Sequence, residues 1–522
     1  MNVSRILTLA ASRWGDRECV VEITPTESKR RSRSYREFNE RVNKLANALL
    51  DAGIKKEDIV VTFMRNSIEW METYFGIIRA GAVVAPLNFR FTSDDIRHVA
   101  DVTEPSFIIL EDELSQIVNP IRSTLPTIEH YICTGKRTAG KMTDYEEFIA
   151  SYPPTEPETR ILDEDNIAVY FTSGTTGTPK AVLFTHKNLF MVAIENFITF
   201  PPVPGGNYVA ILPLYHVAAF FQWLPYLFRG GTCTLLQEFS PHDFLHTMEK
   251  EKGTEVFLVM PMLFDIVEAH KRGDIDIGTC DLSSWQLLNT GSQAYPRHLL
   301  LTVSKLFPGV RVNHGYGLSE GAGAATFILE PEDLIRKCGS IGKPVAAMVE
   351  ARIVDDEGKQ VPPGEMGELI IKTDRMMKEY YRNPEETAKV IKDGWLYTGD
   401  VAKVDEEGYY YIVDRKKDVI ISGGENVYPA EVEEVILKHP KILEAAVIGV
   451  PDERFGERVL AVVKLKPDEE MTQEDFLRWC KENFPGHRRP RQVEFGDIPR
   501  GATRKVLKPE LRERYSGKKE AV

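Results

Sequence analysis

Residues 35–88 constrain the fold more than any other part of the chain. YREFNERVNKLANALLDAG (35–53) sets Phe38, Val42, Leu45, Leu49 and Leu50 on one helical stripe, and Gly53 supplies a stop signal. IVVTFM (59–64) has the character of a buried strand, IEWMETYFGIIRAG (68–81) that of a second helix, and AVVAPLN (82–88) that of another strand. Strand, helix and strand at this spacing argue for parallel βαβ units.

A chain of 522 residues, 43% of them hydrophobic, is long enough for two or more domains with substantial cores. After SYPPTEPET (151–159), a proline-rich connector, the α/β alternation resumes and continues to about residue 330. From 350 to 372 the pattern changes: alternating strands broken by DDEG and PPGE turns predict a smaller antiparallel β subdomain. The last hundred residues, with AAVIGV and VLAVVKLK as strands and TQEDFLRWCKENF as a helix, predict a compact α+β domain. The expected fold class is α/β, with a large N-terminal domain of α/β layers carrying a β subdomain, then a small α+β domain.

Charge and cysteines narrow the setting. A net charge of −13 gives no general attraction to nucleic acid or to an anionic membrane. The six cysteines are scattered without a CxxC pair, which suits reduced, buried thiols better than a disulfide framework or a zinc site. The apolar run Ile6–Ala11 lies between Arg5 and Arg13 and is too short for a signal peptide or a membrane span, so an amphipathic surface helix is expected there. The terminal KKEAV is neither a retention nor a peroxisomal address. The expectation is a cytoplasmic protein with no nucleic-acid partner and no transmembrane segment.

FTSGTTGTPK (171–180) is the most distinctive short stretch. A P-loop would read GxxxxGK[ST] and open a helix; here Gly174 and Gly177 are three apart, Pro179 precedes Lys180, and AVLFT follows with strand character. The loop is therefore expected to join two strands. Its backbone N–H groups and the hydroxyls of Thr172, Ser173, Thr175 and Thr176 can still wrap a phosphate chain.

FTSGTTGTPKAV resembles the signature of the adenylate-forming superfamily of acyl-CoA synthetases, nonribosomal-peptide adenylation domains and firefly-type luciferases. GYGLSE (315–320), WLYTGD (395–400), VDRKKDVIISGGENVYPAEVE (413–433) and IPRGATRKVLK (498–508) resemble further elements of that family, in its order. The resemblance implies a reaction in which a carboxylate attacks the α-phosphate of ATP, giving an acyl-adenylate and pyrophosphate, after which a thiol displaces AMP. It implies ATP, Mg²⁺ and coenzyme A as cofactor and co-substrates. It also implies an N-terminal domain over 1–413, a hinge over 414–417 and a mobile lid domain over 418–522.

By the same resemblance, Thr172, Ser173, Gly174, Thr176, Gly177 and Lys180 hold the outer phosphates, and Thr175 counts among the catalytic residues. Gly291, Tyr316, Gly317 and Ser319 complete the nucleotide contacts, with the Tyr316 ring along the adenine and Ser319 at the α-phosphate. Glu320 is the Mg²⁺ carboxylate, Asp400 accepts the ribose hydroxyls, and Arg415 is a second nucleotide contact. Lys505 is the adenylation lysine, and Lys417 marks the hinge. The sequence departs from the family at Arg504, where a glycine is usual; if that position needs positive φ, an arginine costs roughly 1–2 kcal/mol.

LPLYHVAAFFQWLPYLF (212–228) is implied to line or support the acyl pocket, with His216 near the junction of the acyl and pantetheine channels as a gate or a structural histidine, and Tyr215 and Phe220 facing a hydrophobic acid or else the core. Gly423 and Gly424 are implied to border the thiol channel. The basic run HRRPR (487–491), with Arg500, Arg504 and Lys508, is a candidate surface for the coenzyme A phosphates or else a solvated face. Gly321, Gly323 and two alanines at the implied pocket wall leave room for a ring or a medium chain, and no lysine or arginine stands out to pair a second carboxylate, so the acid is expected to be an aromatic or medium-chain monocarboxylate. A loader of a separate carrier protein, a luciferase-like oxidase and a non-catalytic nucleotide binder are the alternatives, and a homodimer is left open.

Overall fold

The structure is a computed structural model. It describes residues 2–25, 29–135, 142–172, 179–292, 295–345, 348–452, 454–484, 486, 488–500 and 506–515, without the side chains of Phe220, Phe221 and Ala324. Two compact units emerge, one built from residues up to 172, 179–351 and 371–396, the other from 352–370 and the chain from 397 onward.

The first unit is layered α/β. Among the described residues, one eight-stranded sheet has Ile59–Phe63 near its middle, parallel to Val83–Pro86 on one side and Phe107–Glu111 on the other. The two helices that cross over between them, Ile68–Arg79 and Ser93–Thr103, start where a short polar side chain caps the first turn: Ser67 accepts from Trp70 N and Thr92 from Asp95 N. The expected helix at 35–53 runs Tyr35–Asp51 with a full capping box from Ser34 and Glu37. Phe38, Val42, Leu45 and Leu49 are buried as the stripe demands, while Leu50 is half-buried.

A second, nine-stranded sheet carries a parallel run Glu255–Phe257, Leu287–Gly291 and Arg311–Leu318, then turns antiparallel into Gly323–Ile328. Val256, Leu288 and Val312 point from one of its faces into a large apolar core beneath the helices Met260–Arg272 and Arg297–Leu306. The N-terminal run expected to be an amphipathic helix is one, Val3–Trp14, with Ile6, Leu7 and Ala10 buried.

The second unit contains the antiparallel strands read from the DDEG and PPGE turns. Gly367–Lys372 lies between Glu350–Val354 and Trp395–Val404, and Tyr410–Arg415 pairs onto the last of these. Its C-terminal part is a sheet of Glu425–Val427, Ile420–Ser422, Gly456–Leu465 and Ile442–Asp452, with Gln492–Phe495 parallel to Gly456–Leu465. Helices Pro429–Ile436 and Gln473–Asn483 cover one face through Val432, Ile436, Phe476 and Cys480, and helix Lys508–Tyr515 covers the other through Leu511 and Tyr515. The α+β character expected of the last hundred residues is present. Among the described residues no helix is long and apolar enough to cross a membrane.

Candidate functional site

In the first unit the segments on either side of the hydroxyl-rich loop are strands, as the sequence predicts, and they are antiparallel. Asn166–Thr172 pairs with Lys180–Thr185, and Thr172 stands directly opposite Lys180. Ser173, Gly174, Thr175, Thr176 and Gly177 lie outside the described residues. The loop's exit is held by His98, whose Nε2 is 3.1 Å from Pro179 O.

Lys180 is not free at this exit. Its Nζ sits 2.7 Å from Glu386 Oε2 and 4.8 Å above the ring of Tyr380. The ammonium, together with Lys389, holds the Glu386 carboxyl down to about 2. Tyr380 arrives here because Glu379–Tyr380 adds to the sheet as one more strand, Tyr380 opposite Val182. Its hydroxyl donates to Glu320 Oε1 over 2.8 Å, and Met377 N donates to Glu320 O over 2.7 Å. Burial, followed by the neighbouring Glu320 carboxylate, pushes the phenol well above its ordinary value, so it remains a donor. The structure thus connects Lys180 to Glu320 through a residue that sequence reasoning passed over. The only cue was the aromatic pair in KEYYRNPEE, which reads equally well as core.

Tyr316 and Gly317 lie near the end of strand Arg311–Leu318, and Ser319 and Glu320 occupy the single 3₁₀ turn that follows. Tyr316, Ser319 and Glu320 are half-buried and Gly317 is exposed. Gly291 ends the neighbouring strand opposite Gly315; a Cβ on Gly291 would stand 2.6 Å from Gly315 O, so the two strands need the bare backbone. Tyr215 is buried with its ring 4.4 Å from that of His216, and burial pushes its phenol up to about 12. His216 is half-buried and leads the helix Val217–Leu227. The side chain of Phe220, on that helix, is outside the described residues.

In the second unit Asp400 and Arg415 face each other across the ladder, Arg415 Nε 2.5 Å from Asp400 Oδ1. Asp400 is almost fully buried, whereas Arg415 is 41% exposed, so the guanidinium bridges an internal carboxylate to solvent. Lys417 sits in the 3₁₀ turn Lys416–Asp418; burial lowers its pKa, with Arg415, Arg512 and Lys508 adding to the effect. Gly423 and Gly424 form the two-residue turn of a hairpin in which Ser422 opposes Glu425, and φ is +64° and +85°. Positive φ at both positions is the primed turn that matches strand twist, which is why two glycines stand there. Gly423 N donates to Phe455 O, and the Phe455 ring is flanked by the guanidinium carbons of Arg491 at 4.4 Å and Arg454 at 5.2 Å.

Lys505 and Arg504 lie outside the described residues, but Arg500 pairs with Val506 in an antiparallel bridge that brackets the segment. Much of the basic surface expected near it is neutralised. Arg488 is 2.8 Å from Glu431, Lys508 is 2.9 Å from Glu433, and Arg500 is paired with Glu444.

Residues 7–381 match the AMP-binding enzyme family, and residues 431–505 match the AMP-binding enzyme C-terminal domain. The chain belongs to the AMP-binding enzyme family. It is 35% identical to a feruloyl-CoA synthase of Amycolatopsis sp., over 92% of this chain and 94% of the relative. It is 31% identical to the long-chain-fatty-acid–CoA ligase FadD13 of Mycobacterium tuberculosis, over 92% and 93%. The solved structure of o-succinylbenzoate CoA synthetase (MenE) from Bacillus subtilis, in complex with ATP and a magnesium ion, superposes with a TM-score of 0.83 at 25% identity, covering 97% of this chain and 98% of that one. The family member described here is an AMP-forming acid–CoA ligase that uses ATP with Mg²⁺, and coenzyme A as co-substrate.

Proposed function

We propose that this acyl-CoA synthetase acts on an aromatic or medium-chain monocarboxylic acid, using the residues named from its motifs. The observation that carries the assignment of roles is the tie Lys180–Tyr380–Glu320, which joins the exit of the hydroxyl-rich loop to the acidic turn. The loop 172–180 wraps the outer phosphates with backbone N–H groups and hydroxyls. Lys180 exchanges its carboxylate partner Glu386 for phosphate oxygen when the nucleotide binds.

Glu320 fits a divalent cation. It is a half-buried carboxylate with Oε1 fixed by Tyr380, and among the described residues its Oε2 takes no hydrogen bond. Mg²⁺ needs only one or two carboxylates when phosphates supply the remaining oxygens. A cation held there would supply positive charge to the phosphates. Tyr316 lies along the adenine, Gly291 and Gly317 leave room for it, and Ser319 donates to the α-phosphate. Asp400 accepts from the ribose hydroxyls, with Arg415 paired to it at the same place. Lys505 brings positive charge to the point where carboxylate and α-phosphate, both anionic, must meet.

For the second half-reaction, the lid 418–522 turns about 414–417, and the glycine hairpin 423–424 borders the pantetheine path. The Arg454–Phe455–Arg491 group beside it meets the coenzyme A nucleotide. His216 and Tyr215 gate the junction with the acyl pocket along 212–228. A cytoplasmic enzyme acting as a monomer or homodimer accords with this chemistry. Relatives acting on ferulate and on long-chain fatty acids bracket the substrate without choosing it.

The test is pyrophosphate release from MgATP across aromatic, cinnamic and short- to long-chain fatty acids, with and without coenzyme A. Turnover that needs coenzyme A and yields a thioester from an aromatic or medium-chain acid is expected. Activity confined to long-chain acids would overturn the substrate assignment, and pyrophosphate release without thioester would overturn the acceptor.

A further inference from the structure

Histidine is the side chain that most often ligates transition metals, and this chain has eleven of them. Only His242 and His246 are four apart in sequence, the spacing that makes two side chains neighbours on a helix. Both belong to the helix Pro241–Lys250 of the first unit, in the run His242-Asp243-Phe244-Leu245-His246.

The helix is well anchored where the pair sits. Ser240 Oγ accepts from Asp243 N over 3.1 Å and donates to Asp243 Oδ2 over 2.7 Å, and Pro241 takes the first helical position, where a missing N–H is harmless. Phe244, Leu245 and Met248 turn inward to the apolar core of the second sheet. That leaves His242 and His246 on the solvent side, both exposed, the first with 77% of its side chain accessible.

The two imidazole planes are 7° from parallel, with their centres 6.3 Å apart. Bonds of about 2.0–2.1 Å from one metal to a nitrogen of each ring require the rings to lean together, and rotation about the two exposed side chains supplies that. His242 Nδ1 lies 3.4 Å from Asp243 Oδ1, on the carboxylate that Ser240 holds. A carboxylate at Nδ1 favours the proton there, which leaves the Nε2 lone pair for a metal. The positive end of the helix dipole opposes a cation at this turn, and the same Asp243 carboxylate offsets it.

Chemistry narrows the occupant. Imidazole nitrogen suits zinc, nickel and copper, whereas Mg²⁺ prefers oxygen. Among the described residues no group of three or more His, Cys, Asp or Glu side chains could hold a metal ion, so the protein offers this ion two ligands and water must supply the rest. Such a site is open and exchangeable, unlike a closed structural zinc site.

We propose that His242 and His246 chelate one divalent transition ion of the zinc, nickel and copper group, through one nitrogen of each ring. The site stands apart from the ligase reaction, to which none of its residues is assigned. A metal bridging successive turns clamps the start of Pro241–Lys250 and stabilises the folded chain by mass action.

The test titrates untagged enzyme calorimetrically with Ni²⁺ and with Zn²⁺ at about pH 7.5, where imidazole yields its proton to a metal. One saturable equivalent of each ion is expected at the pair. His242→Gln and His246→Gln should each weaken it by at least about tenfold, because either variant leaves one imidazole without its chelating partner. Both positions are exposed, so the unfolding midpoints without metal should match the wild type. Added Ni²⁺ is then expected to raise the wild-type midpoint above those of the two variants. No saturable heat from either ion would overturn the proposal, as would equal affinity in all three proteins, which places the metal on other groups. Loss in one variant alone would make the metal site a single histidine with a ligand from elsewhere, and would overturn the pair.

Discussion

Tyr380 and Glu320 are sixty residues apart in sequence, yet the phenol donates to the carboxylate over 2.8 Å from a strand of a different sheet. The same ring lies under Lys180. Tyr380→Phe removes the hydrogen bond and keeps the ring. The Mg²⁺ concentration giving half-maximal pyrophosphate release is expected to rise about tenfold, as for one hydrogen bond to a charged group. Titrating Mg²⁺ at fixed ATP measures it, and an unchanged midpoint would show that Glu320 needs no help from Tyr380.

Asp400 is a buried carboxylate whose recorded ion-pair partner, Arg415, is reachable from solvent. If its task is the ribose, discrimination against 2′-deoxy-ATP should depend on it. Asp400→Asn is expected to raise KM for ATP by about 10-fold or more and to narrow the gap between ATP and its deoxy analogue. Steady-state kinetics with the two nucleotides decide this; a variant that still discriminates fully places the ribose elsewhere.

Lys505 should matter to one half-reaction only. Lys505→Ala is expected to slow acid-dependent pyrophosphate release by about 100-fold or more, while thioester formation from supplied acyl-adenylate stays within a few fold. Equal losses in both steps would mean the lysine is structural. Arg504→Gly, run alongside, should speed adenylation if the arginine strains the segment.

His186 predicts an acid-sensitive N-terminus. Its Nδ1 accepts from Val3 N at 3.3 Å, and burial lowers its pKa from 6.5 to about 3. Between these values the unfolded chain holds the extra proton, so stability rises with pH across the window and is lost as pH falls through it. The loss approaches about 1.4 kcal/mol per pH unit. Urea unfolding at about pH 7 and about pH 5 should cost the wild type about 2 kcal/mol more than His186→Gln, and equal losses would count against a neutral native imidazole.

Local pattern made some of this legible in the sequence and left the rest hidden. The helix Tyr35–Asp51 and the strands beside it could be read because burial on one face repeats at a helical or strand period. That strands flank the hydroxyl-rich stretch was legible in Pro179 and the apolar, partly β-branched run after it. Tyr380 was not, because its role arises from a two-residue strand that has no period of its own. Nor was the pairing of Arg488, Arg500 and Lys508 with glutamates, since their partners come from helix Pro429–Ile436 and strand Ile442–Asp452. Gly423 and Gly424 were singled out as a channel border, whereas the structure shows the reason two adjacent glycines are required: both close a primed turn.

The residues flanking Lys417 are pinned in opposite directions. Lys416 is bound to Asp356 and Glu368 on the antiparallel subdomain side, and Asp418 to Arg512 of the last helix. Among the described residues Lys417 makes no ion pair of its own. If the chain turns about Lys417 as proposed, the swivel would be channelled into the few backbone bonds between two clamps, like torsion in a shaft held at both collars. A proline at Lys417 would then seize it in one orientation, whereas cutting either clamp would let the twist leak into neighbouring residues.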